Sequence, residues 1–125
     1  MSRELQSKHP VSNEPAGFRQ AWFPNLVDHF NPRDNSTYQQ RYWYNKEHFD
    51  KRSGPVFLYI CGEYTCSVPE TRMFASELAA AHKALFVVLE HRYYGASKPF
   101  EDWSLENLRL LTVDNALADI AFFID

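Results

Sequence analysis

A chain of 125 residues with 23% charged and 16% aromatic side chains is one globular domain at most, with length enough for a core and too many aromatics for a disordered segment. Its net charge of −3 is spread without a basic stripe, which speaks against nucleic-acid binding. No apolar run approaches the ~20 residues of a membrane span, and the opening MSRELQSKHPVSNEP lacks the apolar stretch of a signal peptide.

Residues 1–17 carry Pro10, Pro15 and Gly17 with little apolar content, so a polar, mobile leader is expected before a domain over residues 18–125. Ala21–Phe30 (AWFPNLVDHF) is aromatic-rich, and Pro24, which cannot donate to a ladder, makes it an edge strand. Asn31–Thr37 (NPRDNST) is a turn by residue chemistry. It contains Asn35-Ser36-Thr37, a glycosylation acceptor if the chain is secreted. Tyr38–Asn45 (YQQRYWYN) alternates in part and reads as a strand antiparallel to the preceding one, with Lys46–Ser53 as a charged hairpin-type connection.

Pro55–Ile60 and Ala84–Leu89 are short, continuous apolar runs, the pattern of strands buried on both faces. Between them Ser67 and Glu70 are spaced as a capping box, with Pro69 in the first turn, and Phe74, Leu78, Ala81 and Leu85 form one apolar helical face. Strand, helix, strand is a βαβ unit, since a parallel pair requires a crossover. Chemistry belongs in the loops at the carboxyl ends of its strands, Cys61–Cys66 and Glu90–Ser97. A loop with Pro99 follows, and a short helix starts at Ser104. Thr112 caps a longer helix with Val113, Ala116, Leu117, Ile120, Ala121 and Ile124 at helical spacing. Asp125 is followed by neither a C-cap glycine nor a strand, so the first part of a longer α/β domain is expected.

Gly95-Ala96-Ser97-Lys98-Pro99 imitates a nucleophile elbow, which requires a helix directly after the turn. Pro99 replaces the last glycine and pushes Lys98 out of the α region, so Ser97 is not expected to be catalytic. The five histidines show no metal-ligand spacing, and no metal or cofactor is expected. His91 reads as a hydrogen-bonded structural residue at a strand end in preference to a catalytic one. Gly62 would let backbone N–H groups approach a ligand, although a tight turn explains it equally. Cys61 and Cys66 could bridge each other, or one could pair with a cysteine elsewhere.

The segment EHRYYGAS at Glu90–Ser97, preceded by ALFVVL and an amphipathic helix, resembles the lysosomal prolylcarboxypeptidase and dipeptidyl peptidase II family of serine peptidases. VDHFNP at Val27–Pro32, YQQRYWYN, GPVFLYICGE at Gly54–Glu63, and ENLRLLT at Glu106–Thr112 leading to Ala116–Asp119 agree in order and spacing, so the resemblance covers about Phe23 to Asp125. It implies an α/β-hydrolase fold with a helical cap, and cleavage beside proline in peptide substrates. It also implies a lysosomal, vesicular or secreted location and a homodimer of the full-length protein. The family's serine, aspartate and histidine fall beyond Asp125, so the chain alone is expected to be inactive, and a truncated non-catalytic binding module is the alternative. An esterase or lipase of the same fold is disfavoured by the resemblance alone. The family's Gly-Gly-Glu or Gly-Asn-Glu oxyanion loop corresponds to Cys61-Gly62-Glu63, which makes Gly62 the candidate backbone donor and Glu63 a residue near substrate.

Overall fold

A computed structural model describes residues 17–67 and 74–125. The chain runs β1 (Phe18–Leu26), β2 (Thr37–Asn45), β3 (Val56–Ile60), α1 (Phe74–Ala81), β4 (Leu85–Leu89), α2 (Leu105–Leu108) and α3 (Val113–Ile124). Among the described residues four strands make one mixed sheet in the order β1-β2-β4-β3. The protein is a small α/β domain. Residues 1–16 of the leader, Pro69 and Glu70 of the capping box, and the Phe74 side chain lie outside the described residues.

β1 and β2 pair antiparallel from Phe18↔Asn45 to Leu26↔Thr37, with Pro24 opposite Gln39 on an edge strand. β1 starts earlier than its aromatic run and stops at Leu26, after which the Val27 N–H donates to the Ser36 carbonyl and closes the turn. β3 and β4 pair parallel, Val56↔Leu85 through Ile60↔Leu89. The expected hairpin over Lys46–Ser53 is not what forms. β4 enters between β2 and β3 and pairs antiparallel with β2, Tyr42↔Leu89 to Asn45↔Phe86. Its apolar side chains therefore gain neighbours on both sides, and Phe86, Val87, Val88 and Leu89 are all buried.

β3 departs from its expected burial on both faces. It lies at the sheet edge among the described residues, and Val56 and Ile60 are 61% and 41% exposed. α1 likewise turns a different face inward. Ala75 and Ala79, one helical turn apart, pack with Phe86 and Val88, while Leu78 is 36% exposed. Small side chains let the helix approach the sheet closely. α1 ends in a Schellman motif. The Ala84 N–H donates to the Ala79 carbonyl and the Lys83 N–H to that of Ala80, with Lys83 in the left-handed region at φ 56°.

Ser104 and Thr112 cap α2 and α3 through side chains that accept from the Asn107 and Asn115 N–H groups. The buried residues of α3 are Asn115 and Asp119. Its apolar positions Val113, Leu117 and Ile124 are 74%, 59% and 66% exposed, and the expected apolar face is thus not the core face. The ion pair described below is the physical reason.

Candidate functional site

Both loops at the carboxyl ends of the parallel strands converge. The Cys61 N–H donates to the Leu89 carbonyl at 3.0 Å, extending the β3–β4 ladder by one bond. The chain then turns, with the Tyr64 N–H on the Gly62 carbonyl at 2.8 Å, and a disulfide joins Cys61 to Cys66 across a Cα separation of 5.8 Å. Among the described residues the Gly62 N–H has no hydrogen-bond acceptor.

Glu90 organises the second loop. Its carboxylate is fully buried and accepts five hydrogen bonds. Oε1 takes Arg41 Nε (3.1 Å), Ser97 Oγ (2.8 Å) and the Ala96 N–H (3.2 Å), and Oε2 takes Arg41 Nη2 (2.8 Å) and the Cys66 N–H (3.0 Å). A buried charge persists only with such partners. The loop closes over it because Gly95 takes φ +57°, and a Cβ there would collide with Glu90 Oε2. Ser97 is fully buried, with its hydroxyl donating to Glu90 and accepting from the Arg41 N–H at 2.8 Å. Both bonds commit the hydroxyl to holding the loop against β2.

Between the loops and α3 lies a cavity of about 290 Å³ lined by Glu63, His91, Leu111, Thr112, Val113, Ala116, Leu117 and Ile120. Apolar walls with a few polar groups at one end are the usual make-up of a ligand site. The half-buried His91 ring donates from Nδ1 to the Arg92 carbonyl at 2.9 Å and stacks edge-on against Tyr94. That bond fixes its tautomer, with the proton on Nδ1 and Nε2 as the ring's acceptor.

Behind the crevice is a second buried cluster, centred on Asp119. Its carboxylate accepts two bonds from Arg92 (Nε 2.7 Å, Nη2 2.8 Å), one from Tyr38 (2.9 Å) and one from His29 Nε2 (2.7 Å). The remaining Arg92 donors go to the carbonyls of Val27, Leu110 and Leu26, each at 2.9 Å. Burial works against the Arg92 charge, but Asp119 outweighs it and holds the guanidinium above its ordinary range. Burial, reinforced by the Asp119 carboxylate, pushes the Tyr38 phenol far up. Asn25 Nδ2 donates to Gln40 Oε1 (2.7 Å) and to the Asp119 carbonyl (3.1 Å), and Gln40 Nε2 donates to the Glu90 carbonyl (2.7 Å). A polar strut therefore connects the two buried carboxylate residues through β1 and β2.

Of the residues singled out in the sequence, Glu63 and His91 meet at the cavity, Gly62 sits next to Glu63 in the chain, and Cys61 and Cys66 are buried beneath. Asn35 stands apart and exposed on the β1–β2 turn. Sequence reasoning missed Glu90, Arg41, Arg92, Tyr38, His29 and Asp119 as a network. One signal was present: Asn115 and Asp119 are polar residues spaced i, i+4 within a mostly apolar helix. Among the described residues no group of three or more His, Cys, Asp or Glu side chains could hold a metal ion, and no helix is long and apolar enough to cross a membrane.

A sequence model of the family described as Serine carboxypeptidase S28 matches residues 25–125. The chain is 41% identical over 102 residues to a "Probable serine protease" of Arabidopsis thaliana, covering 82% of this chain and 21% of that protein. It is 39% identical over 125 residues to the thymus-specific serine protease of Mus musculus, covering 95% and 24%. A "Probable extracellular serine carboxypeptidase" of Arthroderma benhamiae is 37% identical over 106 residues, covering 78% and 15%. The chain spans about a fifth of the length of these relatives.

Proposed function

The chain belongs to the serine carboxypeptidase S28 family, and from that premise we propose that it forms the amino-terminal part of a proline-specific serine exopeptidase with an α/β-hydrolase fold. The observation that carries the reading is the crevice. A glycine N–H without an acceptor among the described residues, a carboxylate and an imidazole gather at the carboxyl ends of two parallel strands, beside an apolar cavity. Gly62 supplies one oxyanion-hole donor, and Glu63 stands near the peptide. The serine, its histidine base and the orienting aspartate come from outside these 125 residues. This fits the burial of Ser97, the one elbow-like serine in the chain. In the whole protein the serine attacks the carbonyl beside proline, and the Gly62 N–H meets the charge that develops on its oxygen.

Two measurements test the reading. This chain alone should not turn over a chromogenic Xaa-Pro dipeptide substrate or a peptide ending in Pro-Xaa, and turnover abolished by Ser97→Ala would overturn that. In a protein that carries the family's whole length, Gly62→Val should lower kcat about 10²-fold or more, the scale of one lost oxyanion donor, with a smaller change in KM. The variant must keep the parent melting temperature, and a near-normal kcat would reduce Gly62 to a turn residue.

A secreted or vesicular compartment fits the same reading. A buried disulfide belongs to an oxidising environment, and Asn35 and Thr37 of the sequon are both exposed. Expression through a eukaryotic secretory pathway should give a glycoform that Asn35→Gln and glycosidase treatment each remove. An unmodified secreted product would remove Asn35 as a site.

A further inference from the structure

The loop that carries Gly62 and Glu63 is tied down at both ends. Cys61 is held by its N–H on the Leu89 carbonyl, Cys66 by its N–H on Glu90 Oε2, and the two residues are joined by the disulfide. Cys61, Cys66 and Glu90 are 2%, 3% and 0% exposed, so each tie is sheltered from water. Glu90 is also the closure of the other crevice loop, through the Ala96 N–H and the Ser97 hydroxyl, and its charge is matched by Arg41 reaching in from β2. One carboxylate thereby sets the spacing between the loop bearing Gly62 and the loop that begins at His91.

We propose that Glu90, acting through the Cys66 N–H and assisted by the Cys61–Cys66 disulfide, is a positioning residue that sets the Gly62 N–H over the crevice. The inference rests on the oxyanion role assigned to Gly62 above. Rigidity is what such a donor requires, because preorganised dipoles stabilise a developing charge without reorganising when it forms. Glu90 touches no substrate in this arrangement. Its effect on the reaction passes entirely through the loop.

The two carboxylate oxygens make the proposal separable from a general loss of structure. Oε1 meets three donors and Oε2 two. In Glu90→Gln the single amide oxygen belongs on the three-donor side. The amide NH2 then faces Arg41 Nη2 and the Cys66 N–H, donor against donor. The loop bearing Gly62 loses its tie while Ala96 and Ser97 keep theirs. Cys61→Ala/Cys66→Ala is a second route to the same loosening with Glu90 intact, should Glu90→Gln fail to fold.

Hydrogen exchange on this chain reads the tie without any activity. The Tyr64 and Cys66 amides, the two in the loop with hydrogen-bond acceptors among the described residues, should exchange at least tenfold faster in either variant, while those of Val87–Leu89 keep their protection. Unchanged protection in the loop would overturn the proposal. In a protein that carries the family's whole length, the same variants should lower kcat at least tenfold with KM changed much less. A loosened loop with normal kcat, alongside a Gly62→Val variant that is impaired, would also overturn it. A normal kcat in Gly62→Val would instead strike the oxyanion reading, and the catalytic half of this inference with it, whatever the exchange rates show.

Discussion

At Gly95 the backbone turns with φ +57° directly over the Glu90 carboxylate, and an added Cβ would lie 2.6 Å from Glu90 Cδ and 2.9 Å from Arg41 Nη2. Neither neighbour can move without breaking a buried ion pair. Gly95→Ala should cost about 3 kcal/mol or more, in the tail of point-mutant effects, because strain and collision add. Gly62→Ala is the contrast: its Cβ would meet only the Tyr64 ring, 3.1 Å away, and Tyr64 is half exposed, with room on its solvent side to give way. Its cost should stay below about 1 kcal/mol, with urea midpoints comparing the two. Tyr38 gives a pH test. Its phenol is pushed up by burial first and by Asp119 second, so above pH ~10 the unfolded chain loses a proton that the folded chain keeps. The stabilisation is complete below that pH and is lost as pH rises, at about 1.4 kcal/mol per pH unit for one such group. Tyr38→Phe should flatten the fall in stability between pH 10 and 11 by roughly that slope; an unaltered slope would show that Tyr38 ionises freely in the folded state. The loop that carries Gly62 and Glu63 was legible because a glycine after an apolar strand marks a loop by itself. The part played by Gly95 was not, since it depends on a carboxylate and a guanidinium that only the fold brings together.

α3 shows how an element can be recognised correctly and oriented wrongly. Its cap at Thr112 and its helical period were legible from local chemistry alone. The inward face was not, because Arg92 and His29 arrive from distant parts of the chain to meet Asp119. A buried guanidinium claims the nearest carboxylate, and the helix rotates to supply it. Phe23 of β1 follows the same rotation, stacking edge-on with Phe122 and Phe123 at 5.9 and 5.2 Å. Asp119→Leu should cost about 3–5 kcal/mol by leaving the Arg92 charge buried without its partner. Arg92→Met/Asp119→Leu should recover part of that, and a double-mutant cycle should give a coupling of about 2 kcal/mol or more. Full additivity would mean that the pair does not hold the helix.

At the scale of the whole molecule, apolar side chains remain outside: Leu105, Val113 and Ile124 are 88%, 74% and 66% exposed. Surfaces of that kind promote association. The isolated chain should sediment as larger species with rising concentration, and Ile124→Lys should shift it toward monomer; a clean monomer with a sharp thermal transition would contradict this. The βαβ unit and the antiparallel pair were each legible as local patterns, but the sheet order was not, because hydrophobic runs do not say which strand goes between which. That order has a kinetic consequence. β4, the last of the described strands, lies inside the sheet between β2 and β3. The β1–β2 pair can close as soon as it is synthesised, but it stays unconnected to β3 until Leu89 has emerged and folded back over the longest loops in the sheet. Pulse-labelled refolding should therefore protect the β1–β2 amides first, then those of β3 and β4 together. A nascent chain halted before Leu85 would leave the inner edge of β2 open to any strand nearby.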